Sequence, residues 1–179
     1  MINSSKLKSI AFTTTRLEVA NVDSYLVSGL LKSQLLSEIV SLLSPSVVES
    51  LPPYFHDINT ESDAEVWLLK MVSESHLFSV KRKGFDPIIG FVFLYESDNA
   101  TTHLGYLLAE SSWHQGYGSE LLFGLLKSCR DNQLVEKLIG GVDIGNVVSA
   151  KLLEKVGFVA TQEGGNGVIF YECVLSHKL

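Results

Sequence analysis

The chain has 179 residues, 46% of them hydrophobic and 19% charged, so it can bury a core and is not typical of a disordered chain. Its formal net charge of −6 argues against a nucleic-acid-binding surface, which needs clustered Lys and Arg. No segment approaches the ~18 apolar residues of a membrane span or resembles a signal peptide. Because Cys129 and Cys173 belong to no metal-spaced pair, we expect a cytoplasmic protein without disulfides or a metal site.

The first half of the chain predicts one strand followed by helices, from the spacing of its apolar residues. In chain order, the predicted elements are a strand over Thr15–Ala20, a helix from Asp23 to Leu43, a short helix from Pro45 to about Leu51 and a helix opening at Ser62. Ser62, with Glu65 three residues later, matches a capping box.

The second half predicts strands that alternate with two helices. The predicted strands are His76–Val80, Pro87–Tyr95, His103–Leu108, Leu138–Asp143, Phe158–Thr161 and Val168–Leu175, with a turn at Asp98-Asn99 and helices over Gly116–Arg130 and Asn146–Val156. Because a strand–helix–strand unit places its two strands parallel and side by side, His103–Leu108 and Leu138–Asp143 are expected to be parallel neighbours. The preceding hairpin then makes the sheet of this α/β protein mixed.

The string Gly116-Tyr117-Gly118 stands where a strand ends and a helix begins. Backbone N–H groups at a helix start lack partners and carry partial positive charge, so they attract anions, and glycine lets a bulky anion come close. A diphosphate would suit such a site. A dinucleotide-binding fingerprint would need a third glycine where Leu121 stands, and no phosphate-loop NTPase string occurs. A tight strand-to-helix turn would also explain the two glycines.

Two blocks, WHQGYGSELL and DIGNVVSAKLLEKVGF, resemble the GNAT superfamily of acyl-CoA-dependent N-acetyltransferases. The family's R/Q-x-x-G-x-G/A falls on Gly116 and Gly118, with Trp113 in place of the leading Arg or Gln. Its second block, N-x-x-S-x-x-L-x-E-K-x-G-F, matches from Asn146 to Phe158. The opening TTTRLEVANVD is similar to the branch that acetylates ribosomal proteins at N-terminal alanine or serine.

The resemblance implies a single N-acetyltransferase domain over residues 1–179. Its fold would be a strongly twisted mixed sheet of six to seven strands with helices on both faces. It also implies acetyl-CoA as co-substrate and no metal. The expected coenzyme contacts are the backbone of Leu107 and Leu108, the loop residues Trp113, His114, Gln115, Gly116, Tyr117, Gly118 and Ser119, and, at the next helix, Asn146 and Ser149.

The implied reaction is direct attack on the thioester by a primary amine, either a protein N-terminus or a small molecule, in a monomer or homodimer. A backbone N–H near Leu107 would stabilise the oxyanion. Leu153 stands where many members carry a tyrosine acid, so the resemblance makes Ser149 the candidate acid. His103, and Glu163 in a loop before the last strand, are candidate bases, and a water chain without a dedicated base is an alternative. Because the tyrosine is missing, a catalytically silent CoA-binding sensor is a second candidate function.

Overall fold

The computed structural model describes residues 4–97 and 101–175. The strands are β1 (Ala11–Thr13), β2 (Leu17–Asn21), β3 (His76–Arg82), β4 (Ile88–Glu96), β5 (Thr101–Leu108), β6 (Lys137–Asp143), β7 (Val159–Gly164) and β8 (Val168–Val174). The helices are α1 (Ser4–Lys8), α2 (Asp23–Leu26), α3 (Gly29–Leu42), α4 (Pro45–Val48), α5 (Glu61–Glu74), α6 (Tyr117–Asp131) and α7 (Val147–Lys155). The turn predicted at Asp98-Asn99 lies outside the described residues.

The strands form one sheet in the order β1-β2-β3-β4-β5-β6-β8-β7. β5 and β6 are parallel, and every other neighbouring pair is antiparallel, so the mixed α/β sheet and its parallel pair are confirmed. The expectation of six to seven strands was too low, because the described residues alone form a sheet of eight. The strand not predicted is β1, whose three residues are too few to show an alternating pattern.

Helices cover both faces of the sheet, as predicted. α6 and α7 share one core with β4 and β5, and α3 and α5 share the other. In β4, Val92 and Leu94 belong to the first core and Phe91 and Phe93 to the second, because successive side chains of a strand point to opposite faces. β4 and β5 are therefore held firmly between two layers.

The helix predicted from Asp23 to Leu43 is divided in two. Extended backbone at Ser28 separates α2 from α3. The apolar residues nearest the break do not enter the core, since Val27 is 83% exposed and Leu30 is 81% exposed. The buried residues of α3 begin only at Leu35, because burial depends on where the helix meets α5.

α5 begins after Thr60, and the predicted capping box at Ser62 and Glu65 was wrong. The Thr60 side chain accepts a hydrogen bond from the Asp63 N–H, and the Asp63 carboxylate accepts one from the Thr60 N–H. The reciprocal pattern is that of a capping box, displaced by two residues.

None of the helices in the described ranges is long and apolar enough to cross a membrane. Cys129 and Cys173 are both free and buried. Burial raises the pKa of the Cys129 thiol to about 12.

Candidate active site

β5 and β6 are hydrogen-bonded to each other only over their first halves. The parallel register pairs Thr101–Leu104 with Lys137–Gly140. β5 continues to Leu108 against β4, and β6 continues to Asp143 against β8. Beyond the paired halves each strand keeps only its outer neighbour, so a gap opens between them. The carboxyl ends of both strands lie at this edge, where open α/β sheets commonly bind ligands.

The strand register decides which backbone groups of β5 face the gap. The Ala109 N–H donates to Ile89 O of β4 at 2.8 Å. In an antiparallel pair the hydrogen-bonded positions recur at every second residue, so Leu107 also bonds β4, while Tyr106 and Leu108 point their backbone groups the other way. The backbone N–H near Leu107 that is expected to meet the oxyanion would therefore be that of Tyr106 or Leu108, whereas the Leu107 backbone itself faces β4.

The loop between β5 and α6 directs two polar side chains onto its own backbone. Trp113 Nε1 donates to Leu108 O at 2.8 Å, and Gln115 Nε2 donates to Ser111 O at 2.7 Å. The indole N–H therefore already has an acceptor, and its own hydrogen bond fixes the position of the Gln115 side chain. Main-chain amides are consequently the main groups that the loop can offer to an anion.

The two loop glycines have different structural causes. His114 and Gly116 have φ angles of 59° and 80°, in the left-handed region that glycine enters at no steric cost. Gly118 has no positive φ, but a β-carbon there would lie 2.8 Å from Leu152 Cδ2. Gly116 thus shapes the turn, and Gly118 allows α6 to approach α7.

The first turn of α6 presents amides without partners in the helix. The first intrahelical bond is donated by Glu120, so the N–H groups of Tyr117, Gly118 and Ser119 make none. They also carry the positive end of the helix dipole. Ser119 Oγ accepts a hydrogen bond from Lys155 Nζ of α7 at 3.1 Å, which brings a full positive charge to the same turn. These groups fit a diphosphate.

Arg16 lies in the turn between β1 and β2 and contacts both the β5–α6 loop and the first turn of α6. Its Nε donates to Glu120 Oε2 at 2.6 Å, its Nη1 donates to Gln115 O at 3.0 Å, and its guanidinium lies 4.3 Å from the Tyr117 ring centre. Thr14 Oγ1 and the Arg16 N–H donate to Glu120 Oε1. Burial alone would raise the pKa of Glu120, but these bonds outweigh it and hold that pKa below its ordinary value.

The Arg16 contact also neutralises a carboxylate that stands beside the anion site. Without it, the charge of Glu120 would oppose a diphosphate at the same helix end. The opening T-x-R-L string gives no sign of this contact, because the partners are 104 positions apart.

At the start of α7, Asn146 and Ser149 are joined by a helix cap. Asn146 Oδ1 accepts a hydrogen bond from the Ser149 N–H at 3.0 Å. Leu153, where the family often has tyrosine, is buried against β6, and a β-carbon on Gly140 would lie 2.9 Å from its Cδ1. The Ser149 hydroxyl lies about one helical turn before this leucine.

Tyr106 carries a buried hydroxyl. Its side chain shares a face of β5 with Leu104 and Leu108, towards α6 and α7. The phenol oxygen is buried and makes no hydrogen bond with any described residue. Burial raises the pKa of Tyr106, and the Ser149 side chain beside it offsets part of that rise. An alternating strand pattern indicates which face a residue takes but not whether its hydroxyl finds a partner.

The two candidate bases lie on opposite faces of the sheet. His103 lies in the paired part of β5, and its side chain points away from α6 and α7 because the next residue, Leu104, faces them. Glu163 is exposed and lies within β7, not in a loop as expected, because pairing with β8 continues past it. Glu163 pairs in register with Ile169 of β8, and Ile169 pairs with Val142 of β6. The side chains of Ile169 and Val142 face α7, so that of Glu163 lies on the same face. The structure therefore does not bring His103 and Glu163 together.

A cavity of about 760 Å³ adjoins the loop on its β4 side, between Ile88, Arg82 and Gln115. None of its lining residues belongs to β6 or α7, so it is distinct from the gap. The unpaired strand edges and the α6 amides meet at the gap and not at this cavity. Within residues 4–97 and 101–175, no group of three or more His, Cys, Asp or Glu side chains could hold a metal ion.

Residues 32–159, most of the chain, match the family model of the acetyltransferase (GNAT) domain. The chain therefore belongs to the GNAT acetyltransferase family, and the resemblance seen in the two sequence blocks is confirmed. No match was found among curated protein sequences.

Solved structures with the same fold include relatives that acetylate ribosomal proteins. A GNAT acetyltransferase from Bacillus anthracis superposes with a TM-score of 0.73 at 17% identity, covering 92% of this chain and 98% of that one. RimL, the ribosomal L7/L12 alpha-N-protein acetyltransferase, in complex with coenzyme A gives 0.73 at 14% identity, covering 93% and 98%. The ribosomal-protein-S5-alanine acetyltransferase from Vibrio fischeri gives 0.67 at 20% identity, covering 93% and 97%. At these identities the likeness is one of fold.

Proposed function

We propose that the protein is an acetyl-CoA-dependent N-acetyltransferase that moves an acetyl group to a primary amine, on a protein N-terminus or a small molecule. The observation that carries the proposal is the gap between β5 and β6, which opens beside the free amides of α6 in a member of this family. That RimL has a similar structure in complex with coenzyme A supports the ligand class. A single domain over residues 1–179, a cytoplasmic location and a monomer or homodimer belong to the same proposal.

The diphosphate would be held by the amides of Gly116–Ser119, with Trp113, His114 and Gln115 shaping the loop. The pantetheine arm would then follow the unpaired edge of β5 at Tyr106 and Leu108, like an added strand. Asn146 and Ser149, on the other side of the gap, complete the binding residues. Bound acetyl-CoA supplies a thioester whose carbonyl carbon an amine can attack.

Two groups of the gap can stabilise the charges that develop. The N–H of Tyr106 or Leu108 can donate to the carbonyl oxygen as it becomes an oxyanion. The Ser149 hydroxyl can donate to the sulfur as the carbon–sulfur bond breaks. The missing tyrosine at Leu153 therefore does not leave the departing thiolate without a donor.

The amine is expected to approach from the face opposite α6 and α7, because the diphosphate occupies the α6 side. His103 is the better candidate base, since its side chain lies on that face. Its imidazole has no hydrogen-bond or ion-pair partner among the residues that the structure describes, so it can accept the amine's proton directly or through water. Glu163, on the α7 face, would serve only an acceptor that arrives from that side.

The test is acetyl transfer from acetyl-CoA to a panel of amines, with peptides that begin with alanine or serine and small primary amines, followed by mass spectrometry. We expect turnover of at least one class of amine. Calorimetry with coenzyme A, ATP and NAD is expected to give binding of coenzyme A alone. Tight coenzyme binding without any turnover would contradict transfer and favour a silent sensor. Preferential binding of ATP or NAD would contradict the ligand class.

A further inference from the structure

We infer that Tyr106 is a positioning residue for Ser149: its phenol O–H donates to Ser149 Oγ, so that the proton of Ser149 is directed at the thioester sulfur. The inference rests on the proposed acetyl transfer and adds a residue that lies outside the G-x-G and N-x-x-S motifs. It also gives a reason for a buried hydroxyl that the fold alone leaves without a partner.

The first step concerns Ser149. A helical serine commonly turns its hydroxyl back onto a carbonyl of the preceding turn, which uses up its proton. No such bond is formed by Ser149 within the described part of the chain. Its backbone N–H is already held by Asn146, which fixes the main chain and leaves only the hydroxyl to be oriented.

The second step concerns Tyr106. Its oxygen is shielded from solvent and has no partner at hydrogen-bond distance. Its side chain packs on the α7 face of β5, where the Ser149 side chain is near enough to affect the pKa of Tyr106. A buried hydroxyl without a bond has lost its water partners and gained none in return, so such groups are few in folded proteins. A rotation of the Ser149 side chain would let its oxygen accept a hydrogen bond from Tyr106. The Ser149 hydroxyl would then direct its own proton into the gap.

The phenol of Tyr106 is the donor in this pair of hydroxyls. Burial raises the pKa of Tyr106, so the phenol stays protonated and remains a donor at neutral and moderately alkaline pH. The raised pKa also makes it a poor proton source, which is why we assign it a positioning role. A nitrogen–carbon bond forms, the carbon–sulfur bond breaks, the electron pair stays on sulfur, and the amine's proton passes to His103, directly or through water. Aligned donors strengthen one another, so the pair stabilises the thiolate without a net proton transfer from the protein.

A binding measurement that needs no acceptor tests the inference first. The thiolate absorbance of coenzyme A bound to the protein is followed against pH, with desulfo-coenzyme A as the reference for the protein's own thiols. Hydrogen-bond donors favour the charged form, so the bound thiol should have a lower pKa than the free thiol. Tyr106→Phe and Ser149→Ala are each expected to raise it again. An unchanged thiol pKa in Tyr106→Phe would overturn the inference.

Kinetics with the accepted amine provide a double-mutant cycle. Tyr106→Phe is expected to lower kcat about two- to tenfold, the size typical of a hydrogen bond between neutral groups, with KM for acetyl-CoA changed less than about twofold. In the Ser149→Ala background the same change should have almost no further effect, because its target is gone. Additive losses in the double variant would overturn the inference.

The matched control is Tyr95→Phe, which removes a phenol that donates to Met71 Sδ at 3.8 Å beside the other core. It should leave both the thiol pKa and kcat unchanged. Equal losses in Tyr95→Phe and Tyr106→Phe would mean a general packing effect and would overturn the positioning role. If the wild-type protein binds coenzyme A but transfers no acetyl group, the proposed function fails while the thiol pKa still decides on Tyr106. If it binds no coenzyme A, both fail together.

Discussion

Gly118 of α6 and Leu152 of α7 pack so closely that a β-carbon on residue 118 would lie 2.8 Å from Leu152 Cδ2. The second glycine of the loop therefore has a packing cause that needs no ligand. Together with the φ of 80° at Gly116, it explains why two glycines stand at the start of a helix. The same packing brings α7, with Asn146 and Ser149, close to the α6 amides.

Gly118→Ala is expected to destabilise the protein by about 1–3 kcal/mol, the usual cost of overpacking a close contact. The cost should be smaller in the Leu152→Ala background, because the clashing methyl group is absent. Chemical denaturation of the single and double variants measures both. Gly165→Ala, where a β-carbon would meet nothing within 4 Å, is the matched control and should change little. If Gly118→Ala costs as much stability in the Leu152→Ala background as in the wild type, the contact between residues 118 and 152 is not the cause of the cost.

Gly116→Ala is expected to cost about 1–2 kcal/mol, because the left-handed backbone brings a β-carbon too near the following carbonyl. Gly116→Asn should cost less, since asparagine tolerates this conformation better. Thermal unfolding measures the stability of each variant. Calorimetry with coenzyme A measures its affinity, which depends on the shape of the loop. Gly29→Ala serves as the control, because Gly29 has no positive φ and open space around it. A similar cost at both glycines would exclude φ as the cause.

Asn146→Ala is expected to lose about 1 kcal/mol, because the first turn of α7 loses its cap. Asn146→Ser should keep most of that stability, since serine also caps, but it removes the side-chain amide. Denaturation compared with calorimetric affinity for coenzyme A separates the two roles of this residue. Full affinity in a stable Asn146→Ser variant would limit Asn146 to capping.

The pair of Arg16 and Glu120 predicts a pH dependence. The pKa of Glu120 is lowered in the folded protein, so its contribution to stability is present above its unfolded pKa of ~4.3 and is lost as pH falls through the folded value. The free energy of unfolding should therefore be larger for the wild type than for Glu120→Gln at neutral pH, and this difference should shrink below about pH 4. Denaturation at a series of pH values measures it. Glu154→Gln, at an exposed residue of α7, is the control, and a constant difference for Glu120→Gln would contradict the linkage.

Local patterns in the sequence were sufficient to predict the fold class, the parallel strand pair and the glycine turn. Alternation, helical spacing and glycine strings are properties of neighbouring residues, so they can be read without knowing what packs where. They could not reveal β1, which is too short, or the exposure of Val27 and Leu30, which depends on where α3 meets α5.

The sequence by itself thus determined the family and the glycine-containing segment at which we propose that a diphosphate binds. Only the tertiary structure decided that Arg16 neutralises Glu120, that the hydroxyl of Tyr106 lies beside Ser149, and that Leu107 turns its backbone away from the gap. It likewise placed His103 and Glu163 on opposite faces. The reason is that strand register sets both the face of every side chain and the direction of every backbone N–H, and a slip of one residue would reverse them all.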